Sequence, residues 1–517
     1  METGCSVSIS IHNPLFSKRI TTNRFANPMT DPVGLIRCLH WHMVPQKIDI
    51  GHLASGNVDM KVGHGWKGSV RSGLIGLATV ACVSSLISST HADGPEKPGK
   101  ASPTYTKDVA PILQTKCLNC HRKHQVGPFA LETYEQARKR AHDIAEVTEE
   151  RSMPPWKPKP GVGPKLKHDQ SLTQAEVTIL AAWAAAGAPR GDLKDLPPLP
   201  QFAEGWKLGP PDLILVPAQG FTVPASGPDT YRCFVLPTNL AKDMYLEAVD
   251  YAPSERGAVH HLIAYIDTTG QARQLDEADP GPGYASPSGA GIEADELGFW
   301  TGGSEPHRLP EGVGIHLPSQ SDVVLQVHYH PSGKAGLDRT RIGLYFARKP
   351  VKQALHWNNV SSYDFRLPAG DDNVEVKASW FIPTDLEILA VSPHMHQLGR
   401  DMHMSILLPN GKNQSLIEIT AWDPSWQSAY HFQKPIPLPA GSALRLVAHF
   451  DNSAHARNPN KPPKLVVFGP NANDEMCVGY VAVVKKGQDL TSARSRDDLF
   501  EIFMKQRERL IRKQGVR

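Results

Sequence analysis

Six side chains spread over the second half of the chain have the types and spacing to hold redox metal: the pair His260-His261, then His328, then His394 and His396, then Met476. Imidazole suits copper in either oxidation state, and a thioether is a soft ligand that favours Cu(I) over harder ions. Five His with one Met therefore point to two redox copper sites rather than to zinc. On a strand, positions two apart share a face, so His394 and His396 can chelate one ion while Met395 packs on the other side. Adjacent His260 and His261 would face opposite sides of a regular strand, so their joint use demands a bend or bulge there. His330 shares a face with His328 and is a rival ligand by the same rule. His316, His403 and His449 read as ordinary strand or loop histidines.

A second constellation lies upstream. Cys117-Leu118-Asn119-Cys120-His121 is the attachment motif of a c-type haem. Two thiols at this spacing can add to the two vinyl groups of one haem, while the adjacent imidazole reaches the iron. Zinc sites and thioredoxin-like motifs also use Cys-X-X-Cys, but neither needs the His directly after it, and no second Cys pair lies nearby in sequence. Met153-Pro154-Pro155-Trp156 sits in a Pro-rich loop where Met153 is the candidate sixth ligand, and a thioether there would raise the haem potential. His124 and His142 are the other candidates. Residues 105–113 read as a short helix entering the motif. Thr173 and Glu176 form a capping box opening a helix over 177–186, with Gly187 as its C-cap and Pro189 beyond it. One helix before the motif and one after it is the layout of a small all-α cytochrome c domain over residues 105–192. The stretch resembles the c-type cytochrome domains of bacterial multidomain oxidoreductases, which implies a one-electron carrier.

The elements that must position the six ligands are strands. A chain of 517 residues with 40% hydrophobic content is too large for one ordinary core and calls for about two to four domains. Forty-five prolines and 42 glycines between short Val/Ile/Phe-rich runs favour a mostly β architecture. From about Leu208 onward alternating strand-like runs and Pro/Gly turns dominate. The net charge of +3, with no basic stripe carrying interleaved aromatics, excludes nucleic acid as the expected partner. Lys67 and Arg71 precede the apolar run Leu74–Val83, and small residues Ser89-Thr90-His91-Ala92 follow, which reads as a secretory signal over 60–92. Export, to a periplasm or beyond, is the expected localisation. Met60 is then the natural start, and residues 1–59 an upstream segment outside the translated protein, with a transit peptide as the rival reading. Residues 93–104 form a linker.

Tyr231-Arg232-Cys233, Val259-His260-His261, Gln326-Val327-His328-Tyr329, Pro393-His394-Met395-His396-Gln397-Leu398-Gly399 and Asp474-Glu475-Met476-Cys477 occur in that order. This set, with Trp426-Gln427 and Asp451-Asn452-Ser453, resembles the copper type II, ascorbate-dependent monooxygenases, the group of peptidylglycine and dopamine hydroxylating enzymes, over residues 210–484. The resemblance implies two all-β sandwich domains of jelly-roll type, here 205–355 and 356–486, each holding one copper ion. It assigns His260, His261 and His328 to the electron-transfer copper. It assigns His394, His396 and Met476 to the copper where O2 and substrate react, with Tyr480 on the substrate side and Gln326 beside the electron-transfer site.

The expected activity is hydroxylation of a C–H bond of a small organic substrate with O2. Electrons would come from ascorbate or another one-electron donor, relayed by the haem, with a periplasmic donor as partner. The alternative is a non-catalytic haem and copper electron-transfer protein serving a larger oxidative partner; a binding module that has lost activity is disfavoured because all six ligands stand. Where peptide-amidating members carry an Arg and an Asn that clamp the peptide carboxylate, this chain has Ser392 and Val478, so a peptide ending in glycine is not the expected substrate. Cys233 and Cys477 are read equally as a disulfide or as two free thiols. In the tail, 487–517, Leu499, Phe500, Phe503 and Leu510 stand at helical spacing and predict a terminal helix docked on the sandwich.

Overall fold

The computed structural model describes residues 102–513, apart from 124, 203, 204, 288, 303, 470 and 472. The expected upstream segment, the signal at 60–92 and His124 lie outside the described residues.

Residues 105–185 form a helical module. A π-helical turn, Tyr105–Val109, runs into the helix Ala110–Lys116, which delivers Cys117 at its C-cap. Two short helices follow, Tyr134–Lys139 and Ala141–Glu149, and then Gln174–Ala185. The last begins right after its N-cap, Thr173, whose hydroxyl accepts from the Glu176 amide in a complete capping box, three residues earlier than the apolar pattern suggested. Thr133 and Gln136 make the same box at the head of Tyr134–Lys139. Val109, Leu113, Leu118, Leu180 and Trp183, all at most 1% exposed, form the core of the module. Each such Leu or Val contributes about 1.5–3 kcal/mol by leaving water.

The rest of the described chain is mostly sheet. A five-stranded sheet has the order Tyr284–Ala285, Thr230–Pro237, Asp322–Tyr329, Val259–Asp267, Asp295–Thr301. A four-stranded sheet has the order Val374–Phe381, Ala443–Phe450, Gly399–Leu407, Asn413–Ile419. Both pack against one eight-stranded sheet: Leu213–Leu215, Arg341–Phe346, Met244–Ala252, Val313–Leu317, Gln353–Ser362, Cys477–Lys485, Leu386–His394, Tyr430–Leu438. Leu246, Ile342 and Leu344 of the long sheet meet Leu262, Leu325 and Val327 in one core. Ile388, Val481 and Val483 meet Met402, Met404, Leu444 and Leu446 in the other. The two β-sandwiches thus share a sheet. Strand Gln353–Ser362 joins them, parallel to Val313–Leu317 through two residue pairs and antiparallel to Cys477–Lys485 along its length. This fixes the two halves against each other and lets side chains from both line one space.

The loop after the short helices binds the helical module to the second sandwich. Pro158 bridges Ile419 and Leu166 bridges Phe432. Lys159 N–H donates to Glu418 O at 2.8 Å and Lys167 N–H to His431 O at 2.7 Å. Trp156 meets Tyr430 edge-on at 5.3 Å between ring centroids. The terminal helix Leu499–Lys513 buries Leu499 in the second core, packs Phe503 on Trp380 at 5.2 Å, and takes a hydrogen bond from Trp380 Nε1 on Gln506 Oε1 at 2.9 Å. Phe500 stays exposed.

Two histidine clusters on one cavity

His261 pairs with His328 across strands Val259–Asp267 and Asp322–Tyr329, and Val259 pairs with the next residue, Tyr329. One extra residue, His260, is therefore accommodated between Val259 and His261, the irregularity that two adjacent ligands require. It turns both imidazoles toward His328. His260 Nδ1 lies 3.1 Å from His261 Nδ1, which lies 3.3 Å from His328 Nδ1. The ligand atoms of the three rings lie within 4.8 Å of one another, a grouping that could hold a metal ion.

The outer side of His328 explains its orientation. Its Nε2 lies 2.8 Å from Asp229 Oδ2, and Tyr231 stacks flat on the ring at 4.2 Å. An Nε2–H that donates to Asp229 leaves the Nδ1 lone pair facing the other two imidazoles. Burial opposes ionisation of Asp229, but its hydrogen bonds to His328 and His330 outweigh that and hold the carboxyl at about 2. Burial, then the neighbouring His328, pushes His260 down to about 4 and His261 well below the usual imidazole range, so both are neutral, the form that binds metal. His330 is turned outward, its Nδ1 2.7 Å from the other Asp229 oxygen, with a side chain 65% exposed. The structure does not bring it into the cluster.

The second cluster is built at a strand end. His394 closes strand Leu386–His394, His396 lies in the turn that follows, and Met395 points away, fully buried in the core. Met476 immediately precedes strand Cys477–Lys485, whose Val478 pairs with His394. His394 Nε2 is 3.3 Å from Met476 Sδ, and the two imidazole centroids are 5.2 Å apart. His394 Nδ1 is held by Gln427 Oε1, and His396 Nδ1 is 3.1 Å from Asp474 O. In both rings Nε2 is left for the interior. Burial, then His396, takes His394 down to about 3, and burial lowers His396 as well.

Glu475, fully buried, is the hub of this arrangement. Burial pushes its carboxyl up to about 8, against the lowering effect of three main-chain donors, the N–H groups of His396 at 2.8 Å, Leu398 at 2.6 Å and Met476 at 3.0 Å, which its oxygens accept. One side chain thereby ties the His396 turn to the Met476 strand.

Both clusters line a single cavity of about 310 Å³. Gln326 and Tyr480, singled out from the sequence, lie in its wall, with Ser392 paired to Tyr480 across the sheet. Gln326 Nε2 donates to Ser286 O at 2.8 Å and Gly289 O at 2.9 Å, tying those two residues to strand Asp322–Tyr329. Glu296, Phe299 and Trp300, which the sequence reading missed, also line it. Burial, then the adjacent Asp295, pushes the Glu296 carboxyl up to about 7. No Lys or Arg lines the cavity among the described residues.

Cys117, Cys120 and His121 come together at the end of the first helix. Both thiols are free. Burial, then the neighbouring Cys120, pushes Cys117 up to about 12, and burial raises Cys120, so neither is the thiolate that a dithiol redox motif would use. His121 Nδ1 is 3.1 Å from Phe129 O, which leaves Nε2 as the ligand side. A Cβ on Gly127 would stand 2.6 Å from Cys120 O and 2.9 Å from His121 Nδ1, so the loop closes over the motif only with glycine there. Met153 is anchored by its N–H to Val147 O at 3.1 Å, and the Pro154–Trp156 stretch after it shares a cavity with Cys120. His142 is a surface residue, its side chain 92% exposed. Cys233 and Cys477 are two buried free thiols.

Similarity to solved structures is slight. A peptide N-glycanase F structure aligns over 53% of this chain and 95% of its own at 9% identity and TM-score 0.27. The major capsid protein P2 of bacteriophage PM2 aligns over 55% and 99% at 8% and 0.23, and allantoicase over 45% and 81% at 9% and 0.14. No curated protein matches the chain. Residues 375–495, which carry His394, His396, Glu475 and Met476, match the family model of the copper type II ascorbate-dependent monooxygenase, C-terminal domain.

Proposed function

We propose that this protein is an exported, copper-dependent monooxygenase that hydroxylates a C–H bond of a small organic substrate with O2, its electrons relayed by a c-type haem on residues 105–192. The observation that carries the reading is that two clusters of convergent ligands line one cavity, of a size suited to a small molecule. His260, His261 and His328 would hold one copper through Nδ1; His394, His396 and Met476 would hold the other through Nε2 and Sδ. Copper bound there supplies one-electron storage at each site and, beside the thioether, a centre biased to Cu(I).

The surrounding residues do the positioning. Asp229 and Tyr231 fix the ring of His328, Gln427 fixes His394, and Glu475 fixes the distance between His396 and Met476. Tyr480 and Trp300 supply aromatic wall against which a substrate can be oriented, and Glu296 with no basic residue beside it disfavours a carboxylate in the cavity. An electron-transfer protein alone would have no use for such a cavity. The two sandwiches are read as jelly rolls, and ascorbate or a periplasmic one-electron donor as the source of electrons.

The helical module fits a haem: two protonated free thiols, an imidazole whose Nδ1 is held by Phe129 O so that Nε2 is free to ligate, and a glycine that lets the following loop pack against the motif. A methyl group at Gly127 adds overpacking strain on the order of 1–3 kcal/mol where His121 is oriented. Gly127→Ala is therefore expected to lower the haem attached per chain, read from the absorption bands of protein produced in an exporting, haem-attaching host; full attachment would contradict the assigned role of this loop.

The test of the main reading is metal stoichiometry. Purified protein with haem attached and copper supplied should hold two coppers per haem. His261→Ala and Met476→Ala should each lose one, and only the doubly loaded protein should consume O2 in step with a hydroxylated product. A persistent ratio of one or less in the parent protein would overturn it.

A further inference from the structure

The loop that follows Cys117-Leu118-Asn119-Cys120-His121 lies against both chain segments that lead to the first histidine cluster. Gly127 N–H donates to Cys120 O at 2.9 Å, so the loop folds back on the motif. One residue earlier, Val126 rests on Gly302: a Cβ built there would stand 3.4 Å from Val126 Cγ2, so the valine meets bare main chain at van der Waals distance. Gly302 directly follows Thr301, the last residue of strand Asp295–Thr301, and Thr301 pairs with His261. Gln125 supplies a second point of attachment, its Oε1 accepting from Arg256 Nη1 at 3.3 Å. Arg256 lies in the turn that enters strand Val259–Asp267, where the N–H groups of Ala258 and Val259 both end on Glu255 O, just before His260.

We infer that Gln125–Gly127 is the electron contact of the helical module, and that an electron leaving it enters the sandwiches at the three-histidine cluster through Val126, Gly302 and the Thr301–His261 pair. The inference rests on the haem and copper reading above and adds the route between them. The step is a one-electron exchange in which ferrous haem becomes ferric and Cu(II) at the cluster becomes Cu(I), with no bond made or broken. Electrons cross covalent bonds and close contacts with far less loss than open space, and this run is main chain except at one hydrogen bond, one van der Waals contact and one cross-strand pair. The stretch after Met153 offers a competing route to the other cluster: Lys157 Nζ lies 3.3 Å from Asp423 Oδ2, and Gln427, farther along that loop, holds His394. That route runs out along a lysine side chain and back through a carboxylate, a longer path than the main chain at Gly302.

The experiment uses the full chain carrying one haem and two coppers, without oxygen or substrate. A photochemical flash reduces the haem, and its absorption bands report reoxidation as the electron moves on. The parent should show reoxidation at a rate independent of protein concentration. The double variant Val126→Gly, Arg256→Ala should slow it by an order of magnitude while keeping the haem midpoint and both coppers, and Val126→Leu with Arg256→Lys should restore it. Met476→Ala protein, holding copper only at the three-histidine cluster, should still reoxidise its haem; His261→Ala protein should not. A parent rate in the double variant, or in His261→Ala, would overturn the route and leave the relay intact. A parent protein with full haem and copper whose haem stays reduced would overturn the relay itself.

Discussion

Glu475→Ala is expected to lower unfolding stability by on the order of 3–5 kcal/mol and to abolish the Met476-containing site while sparing the three-histidine site. The reason is the number of donors that depend on one carboxyl group. The main-chain N–H groups of His396, Leu398 and Met476 all end on it, and Glu475 is fully buried, so no water is at hand to replace it. Each stranded donor costs about 1–3 kcal/mol, and the removed side chain leaves a void besides. The His396 turn and the Met476 strand then lose their common anchor, and the 3.3 Å approach of His394 Nε2 to Met476 Sδ loses its support from the Met476 side. Glu475→Gln keeps one acceptor oxygen but turns an amide N–H2 toward donors, so it should fall between the parent and Glu475→Ala. Urea unfolding gives the stability, and copper bound per chain, falling from two to one, gives the site. A Glu475→Ala protein that unfolds at the parent's midpoint and binds two coppers would remove Glu475 from this role.

What the sequence made legible follows from how local each feature is. Joint use of His260 and His261 demanded a distortion, and the register between Val259 and His261 supplies one. Met395 turning into the core between His394 and His396 follows from strand alternation carried just past the strand end. The capping box at Thr173 marked a helix start, though the apolar pattern placed it late. The equivalent box at Thr133 and Gln136 was equally readable, but Tyr134–Lys139 and Ala141–Glu149 are short, charged and broken at Arg140, leaving little apolar periodicity to notice.

Features that depend on distant pairing were not legible. The parallel contact of Gln353–Ser362 with Val313–Leu317, which makes one sheet of two sandwich halves, has no local signal. The sequence motif contained Glu475 but gave no sign that the residue holds the turn and the strand together, because its three donors come from opposite sides of the motif order. Glu296 was hidden by an irregularity in its own pairing: Ala264 faces Gly298 while the next residue, Tyr265, faces Glu296, so simple alternation along Asp295–Thr301 misjudges which side chains reach the cavity.

Glu296→Gln is expected to stabilise the protein above neutral pH and to leave it unchanged in mild acid, the opposite of what losing a useful carboxylate would do. The ordinary glutamate value is 4.5, and burial followed by Asp295 raises this carboxyl to about 7 in the folded protein. Between those values the folded state holds a proton that the unfolded state has released, so stability falls as pH rises through the window and the full penalty is present above about pH 7. A difference of about 2.5 pH units corresponds to a penalty on the order of 3 kcal/mol. Glutamine, nearly isosteric and uncharged, removes it. Urea unfolding of parent and variant at pH 4.5 and pH 8 should therefore give coincident curves in acid and a more stable variant in base; equal stability at pH 8 would mean that Glu296 is hydrated or paired when ionised. The penalty also bears on function. A carboxylate held against its own ionisation in the wall of the cavity that both histidine clusters share is poorly kept for stability alone, and its place opposite Tyr265 and near Tyr480 puts it where a bound substrate would meet it. A positively charged or hydrogen-bond-donating group entering the cavity would relieve the penalty, so the pH 8 stability gap between variant and parent should narrow when such a ligand is present and stay open with a carboxylate.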